Sequence, residues 1–524
     1  MNIKKILIVG GGSAGWMVAA AMIKQLPGIK ISVIESPNIP IIGVGESTFL
    51  AFNLFLDAVG LLNKDEEWMP GCNAVYKTSI RLTDFRKKLD LPEHFHFPFG
   101  KMNMSNKKGI MDWFCAKVIN PDLPVNTFAE YFHDNVSMIN SNKLTNNEND
   151  ELTGFDFTHE TAYHFDAGLF GQWLKNNICL PNGVELISDN IKDASLDNSG
   201  NIDKIITSSG FELEADLFVD CTGFKSLLLE QKLGVKFIPD NDLLVNDSAL
   251  FGPLPYIDKE LELQSFTNCT ALGNGWVWNT PVWNRIGTGY CYSSKFCTRE
   301  QAELEFREYL SSNRMVIPDK ARAEEMKFNH LTMKIGSHEK TWEKNVVAIG
   351  LSSGFFEPLE SSGQVQLTML LLQVVDLIKM RNGSINKIDV DIVNNNFAKR
   401  MKFYKEFIAM HYALSVRDDT EYWKHVTQNI DYSKMELFQK FSDNMFYGQF
   451  DNSMGGMMYV AAGMGYYPNN TSIVNAFNMS NSYKNYQITR KLQDDKLNNK
   501  LSIMLSTYEF LKKYIYKNNL SVKD

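Results

Sequence analysis

The sequence predicts an α/β fold, with a doubly wound core on a parallel sheet and a mostly helical C-terminal subdomain. Three observations predict it. An apolar run at 5–9 leads directly into a glycine turn and a helix-forming stretch, and a second apolar run follows at 31–34. Two later strand-like runs, 216–220 and 346–349, each end at a glycine-bearing turn. From about residue 393 onward helical patterning dominates and strand signals are few. The 524 residues are therefore expected to divide into a core over 1–392, with segments inserted at about 70–160, and a helical subdomain over 393–524.

The elements follow in order. Residues 5–9 form a strand, Gly10 to Gly15 a turn, 16–26 a helix and 31–34 a second strand closed by Glu35. Strand, glycine turn, helix and strand within about thirty residues make the βαβ unit of a dinucleotide site. The polar, Asn-rich segment 140–151 reads as a surface loop. Residues 190–217 alternate short β-like runs around Asp197-Asn198-Ser199-Gly200, which suits a hairpin or meander. The strand at 216–220 ends at Cys221-Thr222-Gly223, and that at 346–349 runs into the turn from Gly350 to Gly354. The greasiest later stretch, 367–378, is broken by Gln373 and Asp376, so it reads as a buried helix too short to cross a bilayer.

Composition narrows the function classes. Hydrophobic residues at 44% and charged residues at 22% exclude a disordered or fibrous chain. A net charge of −8 argues against a broad basic surface for nucleic acid. Seven scattered cysteines without a Cys-x-x-Cys pair point to reduced thiols, against a disulfide framework or a zinc cage. The nine histidines hold no HExxH, and no metal site is expected. Lys4 and Lys5 precede only four apolar residues, too few for a signal peptide. The expectation is a cytoplasmic protein with neither nucleic acid nor membrane as partner; a homo-oligomer stays open.

Gly10-x-Gly12-x-x-Gly15 carries the first chemistry. Glycines so spaced permit the tight turn, close approach of a pyrophosphate, and tight helix–strand packing; Ser13 and Ala14 of the turn are cofactor-binding candidates, and the helix N-terminus offers N–H groups to the phosphates. Glu35, twenty residues beyond Gly15, can accept hydrogen bonds from a ribose and disfavours a 2′-phosphate. A glycine turn kept for packing alone is the alternative. A second glycine segment, Gly43-Val44-Gly45-Glu46-Ser47-Thr48, lets backbone lie flat against a planar ring system. Gly223, Gly350 and Gly354 give a long cofactor further places to meet protein. Contacts spread this widely suit FAD better than NAD, although each glycine also reads as a plain turn.

These residues resemble the flavin-dependent halogenases of the tryptophan-halogenase family. Gly10 to Gly15 is similar to that family's FAD fingerprint and Gly43 to Thr48 to its flavin strap. Gly275-Trp276-Val277-Trp278-Asn279-Thr280-Pro281 resembles its W-x-W-x-I-P box, with Thr280 in place of Ile. Phe356-Glu357-Pro358-Leu359-Glu360-Ser361-Ser362-Gly363 resembles its E-P-L-E-S-T-G segment, with Ser362 in place of Thr. Tyr76-Lys77-Thr78-Ser79-Ile80-Arg81 resembles the segment holding its lysine. Stretches 162–169 (AYHFDAGL), 220–224 (DCTGF) and 411–423 (HYALSVRDDTEYW) also read like family sequence. The likeness runs from residue 3 to about 470.

The resemblance implies an FAD-binding core of Rossmann type, flavin-monooxygenase-like. It implies an enzyme in which reduced FAD, O2 and halide yield hypohalous acid, which passes through the protein to an organic substrate. Lys77 then takes the role of the family's lysine, hydrogen-bonding hypohalous acid or becoming halogenated itself. Glu360 takes that of the carboxylate that stabilises and deprotonates the cationic ring intermediate. Glu357 is the rival acid. Ser362 and Gly363 fall on the family's halide site, and backbone N–H groups there can form a small anion nest. The tryptophan box is implied to keep organic substrate away from the flavin, but buried aromatic packing accounts for both tryptophans equally well.

Substrate signals are thinner. His94-Phe95-His96-Phe97-Pro98-Phe99-Gly100 resembles a family Tyr-His-Pro-Phe-Gly segment with Phe97 before the proline, so the pocket is altered, His96 substitutes in part, or the stretch is an aromatic core turn. Free-tryptophan members carry paired tyrosines, a glutamate, Phe-Trp and an asparagine before a Gly-Leu/Met-Gly segment. Residues 446–460 here lack the tyrosines, the Phe-Trp and an acid at matching spacing. Met454, Met457 and Met458 instead suggest a flexible apolar surface. Free tryptophan is thus expected to be poor, and indoles, phenols or anilines, with bromide or iodide preferred over chloride, more suitable. One dinucleotide fingerprint implies a separate NAD(P)H-dependent flavin reductase as partner. Two other readings stay open: an aromatic monooxygenase that hydroxylates, and a catalytically silent flavoprotein that serves as a binding module.

Overall fold

The computed structural model describes residues 1–38, 45–100, 102, 109–133, 135–145, 156–437, 439, 454–466 and 479–517. The chain forms two compact units, each assembled from three stretches. One contains Met1–Ala74, Phe165–Asp247 and Leu331–Lys405; the other Val75–His164, Ser248–His330 and Glu406–Asp524. The chain thus passes between units several times instead of being cut once near 392.

The first unit is built on a six-stranded sheet in the order Trp342–Glu343, Val346–Ala348, Leu217–Asp220, Lys5–Val9, Lys30–Glu35 and Glu185–Ser188. All neighbours are parallel except the edge pair 342–343 with 346–348. Ile6, Leu7, Ile8 and Val9 are all buried, the continuous apolar run expected of a parallel strand covered on both faces. The first helix, Ser13–Gln25, begins three residues before the expected 16 because Gly12 already serves as its N-cap. Residues 16–22 of this helix are almost solvent-free. The expected hairpin is present as Ile191–Leu196 paired antiparallel with Ile202–Thr207. Asp197 holds its turn by accepting the N–H groups of Ser199 and Asn201. The greasy stretch at 367–378 lies in the helix Ser362–Met380, which buries Leu367, Leu370, Leu371, Val374, Val375 and Ile378.

The second unit carries a larger sheet. Six of its strands run in the order Ser248–Leu254, Arg285–Tyr292, Gly275–Val282, Phe266–Ala271, Ser79–Thr83 and His94–Pro98. His94–Pro98 is a strand and not the aromatic turn that its composition suggested. Its His-Phe-His-Phe alternation sends both histidines to one face and both phenylalanines to the other. The helix Met454–Gly463 covers the phenylalanine face, where a side chain on Gly456 would overlap Phe97 and one on Gly463 would overlap Phe95. Glycine therefore sets how closely this helix approaches the sheet. The reading of the Met-rich stretch as a flexible surface is corrected at Met457 and Met458, each 1% exposed in this packed layer. The side chain of Met454 and residues 446–453 lie outside the described residues. Within the expected loop 140–151, Lys143–Leu144 pairs with Leu505–Ser506, and 146–151 lie outside the described residues.

Candidate active site

The glycine turn after Lys5–Val9 separates glycines the fold needs from one it does not. Gly10 has φ +115°, and a Cβ there would overlap the Cys221 carbonyl oxygen. A Cβ on Gly15 would overlap the Gly10 carbonyl oxygen. Gly12 has an ordinary φ of −74° and nothing within 4 Å of its missing Cβ. The space at Gly12 is therefore open, and there a pyrophosphate can meet backbone. No side chain caps Gly12, so N–H groups of the first turn and the positive end of the helix face that space. These residues fit FAD.

Around this cradle the chain assembles residues from far apart. Glu35 ends its strand against the turn, where a Cβ on Gly11 would overlap it. Its Oε1 accepts from Lys175 Nζ at 2.5 Å, and that ammonium lies 5.2 Å from the Trp16 ring centroid. The other Glu35 carboxylate oxygen, Oε2, is turned toward Gly11. No motif marks Lys175 in the sequence. Buried Asp220 organises the next turn by accepting from the Thr222 N–H and hydroxyl and from the N–H groups of Leu228 and Leu229. Gly223 follows at φ +68°. Gly350, at φ +84°, comes so close to Ala14 that a Cβ would sit 3.1 Å from the Ala14 methyl. Gly354 answers to a different need: a Cβ there would be 2.7 Å from Ser337 Cα, in the paired strand.

A second cluster joins the strap to the acidic turn. Gly45, at φ +98°, leads into Glu46 and Ser47; Thr48 is buried, while Gly43 and Val44 lie outside the described residues. Ser361 Oγ donates to Ser47 Oγ at 3.0 Å, and Gln364 Nε2 to Glu46 Oε2 at 3.2 Å. Burial raises the Glu46 carboxyl above its usual range, the Gln364 bond opposes this, and the Asp166 charge adds to it. Glu360 (φ +66°) and Ser361 (φ +57°) are consecutive left-handed, non-glycine residues. Each such residue costs about 1–3 kcal/mol, and strain of this kind gathers at functional sites. Ser362 and Gly363 then open the helix Ser362–Met380, whose N-cap makes no side-chain capping bond. Their N–H groups lie at the positive end of the helix, which favours an anion. Glu357, the rival acid, is buried and accepts from Asn246 Nδ2 at 2.7 Å.

Lys77 belongs to the second compact unit. It ends the strand Val75–Lys77, opposite Ala162 of the strand Ala162–Phe165. Its exposure is 0%, which excludes the surface lysine that its residue type alone would suggest. Its ammonium lies 5.0 Å from the Phe99 ring centroid. The next residue, Thr78, is pinned because both its N–H and its hydroxyl donate to the Ser265 carbonyl, at 2.7 and 2.8 Å. His164 faces Val75 across the pair and so shares the lysine's face. Its Nδ1 lies 3.0 Å from the Pro281 carbonyl oxygen and its Nε2 2.8 Å from Thr267 Oγ1. A carbonyl only accepts, so Nδ1–H donates and Nε2 accepts from the hydroxyl. Burial first, and then the Lys77 charge, drive the imidazole well below its normal range. A neutral histidine beside a buried ammonium was not marked by sequence; only the strand register reveals it.

Trp276 and Trp278 lie on one face of Gly275–Val282 with ring centroids 6.1 Å apart. Trp276 is buried, and the Trp278 ring fills the space over Gly289. Thr280 is buried opposite Gly287. His96 is buried with Nδ1 2.9 Å from Ser79 Oγ, and burial drives its pKa well below normal. No described helix is long and apolar enough to cross a membrane.

Comparison with known proteins bears on this geometry. The family model described as "Tryptophan halogenase" matches residues 5–478. Tryptophan 6-halogenase SttH of Streptomyces toxytricini is 33% identical over 455 residues, covering 81% of this chain and 80% of that protein. Tryptophan 7-halogenase RebH of Lentzea aerocolonigenes is 33% identical over 436 residues, covering 81% and 78%. Among solved structures, VirX1 in its apo form is similar at TM-score 0.90 and 38% identity, over 99% of this chain and 100% of that one. Xcc4156, a flavin-dependent halogenase from Xanthomonas campestris, is similar at TM-score 0.81 and 25% identity, over 98% and 99%.

Proposed function

The chain belongs to the tryptophan halogenase family, whose members are flavin-dependent oxidoreductases, and from that premise we propose that it halogenates an electron-rich aromatic compound at Lys77. When bound, reduced FAD supplies the electron pair that activates O2, so that halide is oxidised to hypohalous acid. The chain's own residues do the rest. Gly10, Gly12 and Gly15, with the N–H groups of Ser13 and Ala14, hold the pyrophosphate, and Glu35 takes the ribose. Gly45 to Thr48 of the strap would line the ring system, and Gly223 and Gly350 would border the cofactor, whereas Gly354 is accounted for by its strand pairing. Ser362 and Gly363 hold the halide with backbone N–H groups. Lys77 receives the electrophile, either by hydrogen-bonding hypohalous acid or as a halogenated amine. Glu360 stabilises the cationic ring and takes its proton.

The complete burial of Lys77 beside Phe99 and neutral His164 carries this reading. A lysine is buried at a cost in desolvation, and a positioned electrophile handler justifies it. Although SttH and RebH are named for tryptophan, 446–460 lacks the residues expected of an amino-acid clamp. We therefore assign an indole, phenol or aniline as substrate, bromide or iodide ahead of chloride, and a separate NAD(P)H-dependent flavin reductase as electron source.

The test supplies FAD, a flavin reductase, NADH and each halide with a panel of indoles, phenols, anilines and free tryptophan, and reads halogen incorporation by mass spectrometry. Halogenated indole or phenol, with little halogenated tryptophan, is the expected result. Hydroxylated product without halogen would establish the monooxygenase instead.

A further inference from the structure

Lys77 and Thr78 lead into the strand Ser79–Thr83, where period-two alternation puts Ser79, Arg81 and Thr83 on one face. Register carries that face across the sheet. Arg81 lies opposite His96 on one side and Asn268 on the other, and Asn268 lies opposite Asn279. Most of this buried polar face closes on itself. Thr288 Oγ1 donates to Asn279 Oδ1, and Asn279 Nδ2 donates to the Tyr309 hydroxyl.

One charge is not balanced there. Arg81, half-buried among fully buried neighbours, donates Nε–H to Asn268 Oδ1 at 2.9 Å and lies 4.7 Å from the Phe266 ring centroid, and no carboxylate pairs with it among the described residues. Burial lowers its pKa only to about 10, so it stays a cation at neutral pH. The facing groups offer no counter-charge. Burial holds His94 and His96 neutral, and it raises the Tyr309 hydroxyl. Glu262 gives Oε1 to Arg322 at 2.6 Å and Oε2 to the N–H groups of Ile257 and Asp258. Arg314 pairs with Asp84. The sum is one uncompensated positive charge.

Beside it is a cavity of about 20 Å³, lined by Arg81, Gln264, Phe266, Asn268, Asn279 and Arg314, with Glu262 also at its wall. That is room for one particle the size of a water molecule, which a monatomic halide also approaches and a phosphate or sulfate exceeds. The guanidinium has N–H groups beyond Nε, and the Gln264 amide adds donors. We propose that this cavity is a site for one monatomic halide ion, chloride or bromide, bound by Arg81. The site is separate from the Ser362–Gly363 turn and is made from the second unit's own residues. Its occupant neutralises the polar face of the strand that follows Lys77 in the chain, so halide supports the framework next to the lysine as well as serving as reactant.

The test uses the full-length, flavin-free protein. Crystals grown without halide are soaked in sodium bromide and measured at the bromine absorption edge. An anomalous peak against the Arg81 guanidinium is expected; water alone in that cavity would overturn the proposal. In solution, sodium bromide should raise the melting temperature by about 2 °C or more over sodium gluconate at equal ionic strength. Arg81→Gln should shrink that difference, any remainder being halide at the Ser362–Gly363 turn, and its full persistence would overturn the site. If Arg81→Gln does not fold, the bromide diffraction from the unsubstituted chain decides.

Discussion

Lys77 and Glu360 are held by different local constraints. The lysine is fixed by strand register and by the doubly bonded Thr78 that follows it. The glutamate is fixed by a backbone that pays for φ +66°. Because the Glu360 carboxylate is assigned to the chemistry, Glu360→Gln should lower halogenation about 100-fold with FAD affinity and melting temperature nearly unchanged. Equal loss of activity and FAD affinity would assign the residue to cofactor binding instead. Motif likeness singled out both residues for test. It did not reveal Lys175, or the place of His164 beside Lys77, because both depend on which strand lies beside which helix or strand.

At the scale of elements, the glycine turn predicts two opposite phenotypes from the same substitution. Gly15→Ala drives a methyl into the Gly10 carbonyl and should destabilise the fold by about 3 kcal/mol or more. Gly12→Ala meets no protein atom and should leave the melting temperature of the flavin-free protein within about 1 °C. It should still weaken FAD at least about tenfold, since the methyl takes the space of the pyrophosphate. Thermal melts and flavin titration of both variants check this, and unchanged FAD affinity in Gly12→Ala would remove the phosphates from that space. The βαβ unit was legible because its periodicity and punctuation are local. The strand at His94–Pro98 was not, because four of its five residues are aromatic or histidine and resemble a core turn until a paired strand reveals the alternation.

Across the whole molecule, buried histidines set the response to acid. His94 has a folded pKa of about 4 against an ordinary 6.5, and His96 and His164 also lie well below it. Above pH 6.5 both folded and unfolded states hold these rings neutral, and they contribute nothing. As pH falls from 6.5 toward 4 the unfolded state takes the protons first, so stability is lost, by about 3 kcal/mol from His94 alone. Glu160 works the other way: burial raises its pKa to about 7 from 4.5, so it loses stability as pH rises through that range. Glu160→Gln should therefore raise the melting temperature at pH 8 but not at pH 4, and in that variant, freed of the opposing carboxyl, it should fall between pH 6.5 and 4. A flat acid limb in Glu160→Gln would contradict the buried, neutral histidines. The two discontinuous units were not legible in the sequence, because composition does not shift where the chain passes from Ala74 to Val75 or from Asp247 to Ser248. Only long-range pairings, such as Val75 with His164, draw those boundaries.

Lys77→Ala offers the most direct measurement. With reductase, halide and the best substrate of the panel, flavin reoxidation, hypohalous acid trapped in solution and halogenated product are followed together. Delivery through the buried amine predicts flavin reoxidation and trapped oxidant at the unsubstituted rate, with aromatic product reduced more than about 100-fold. Halogenated product at the unsubstituted rate from the alanine variant would contradict it.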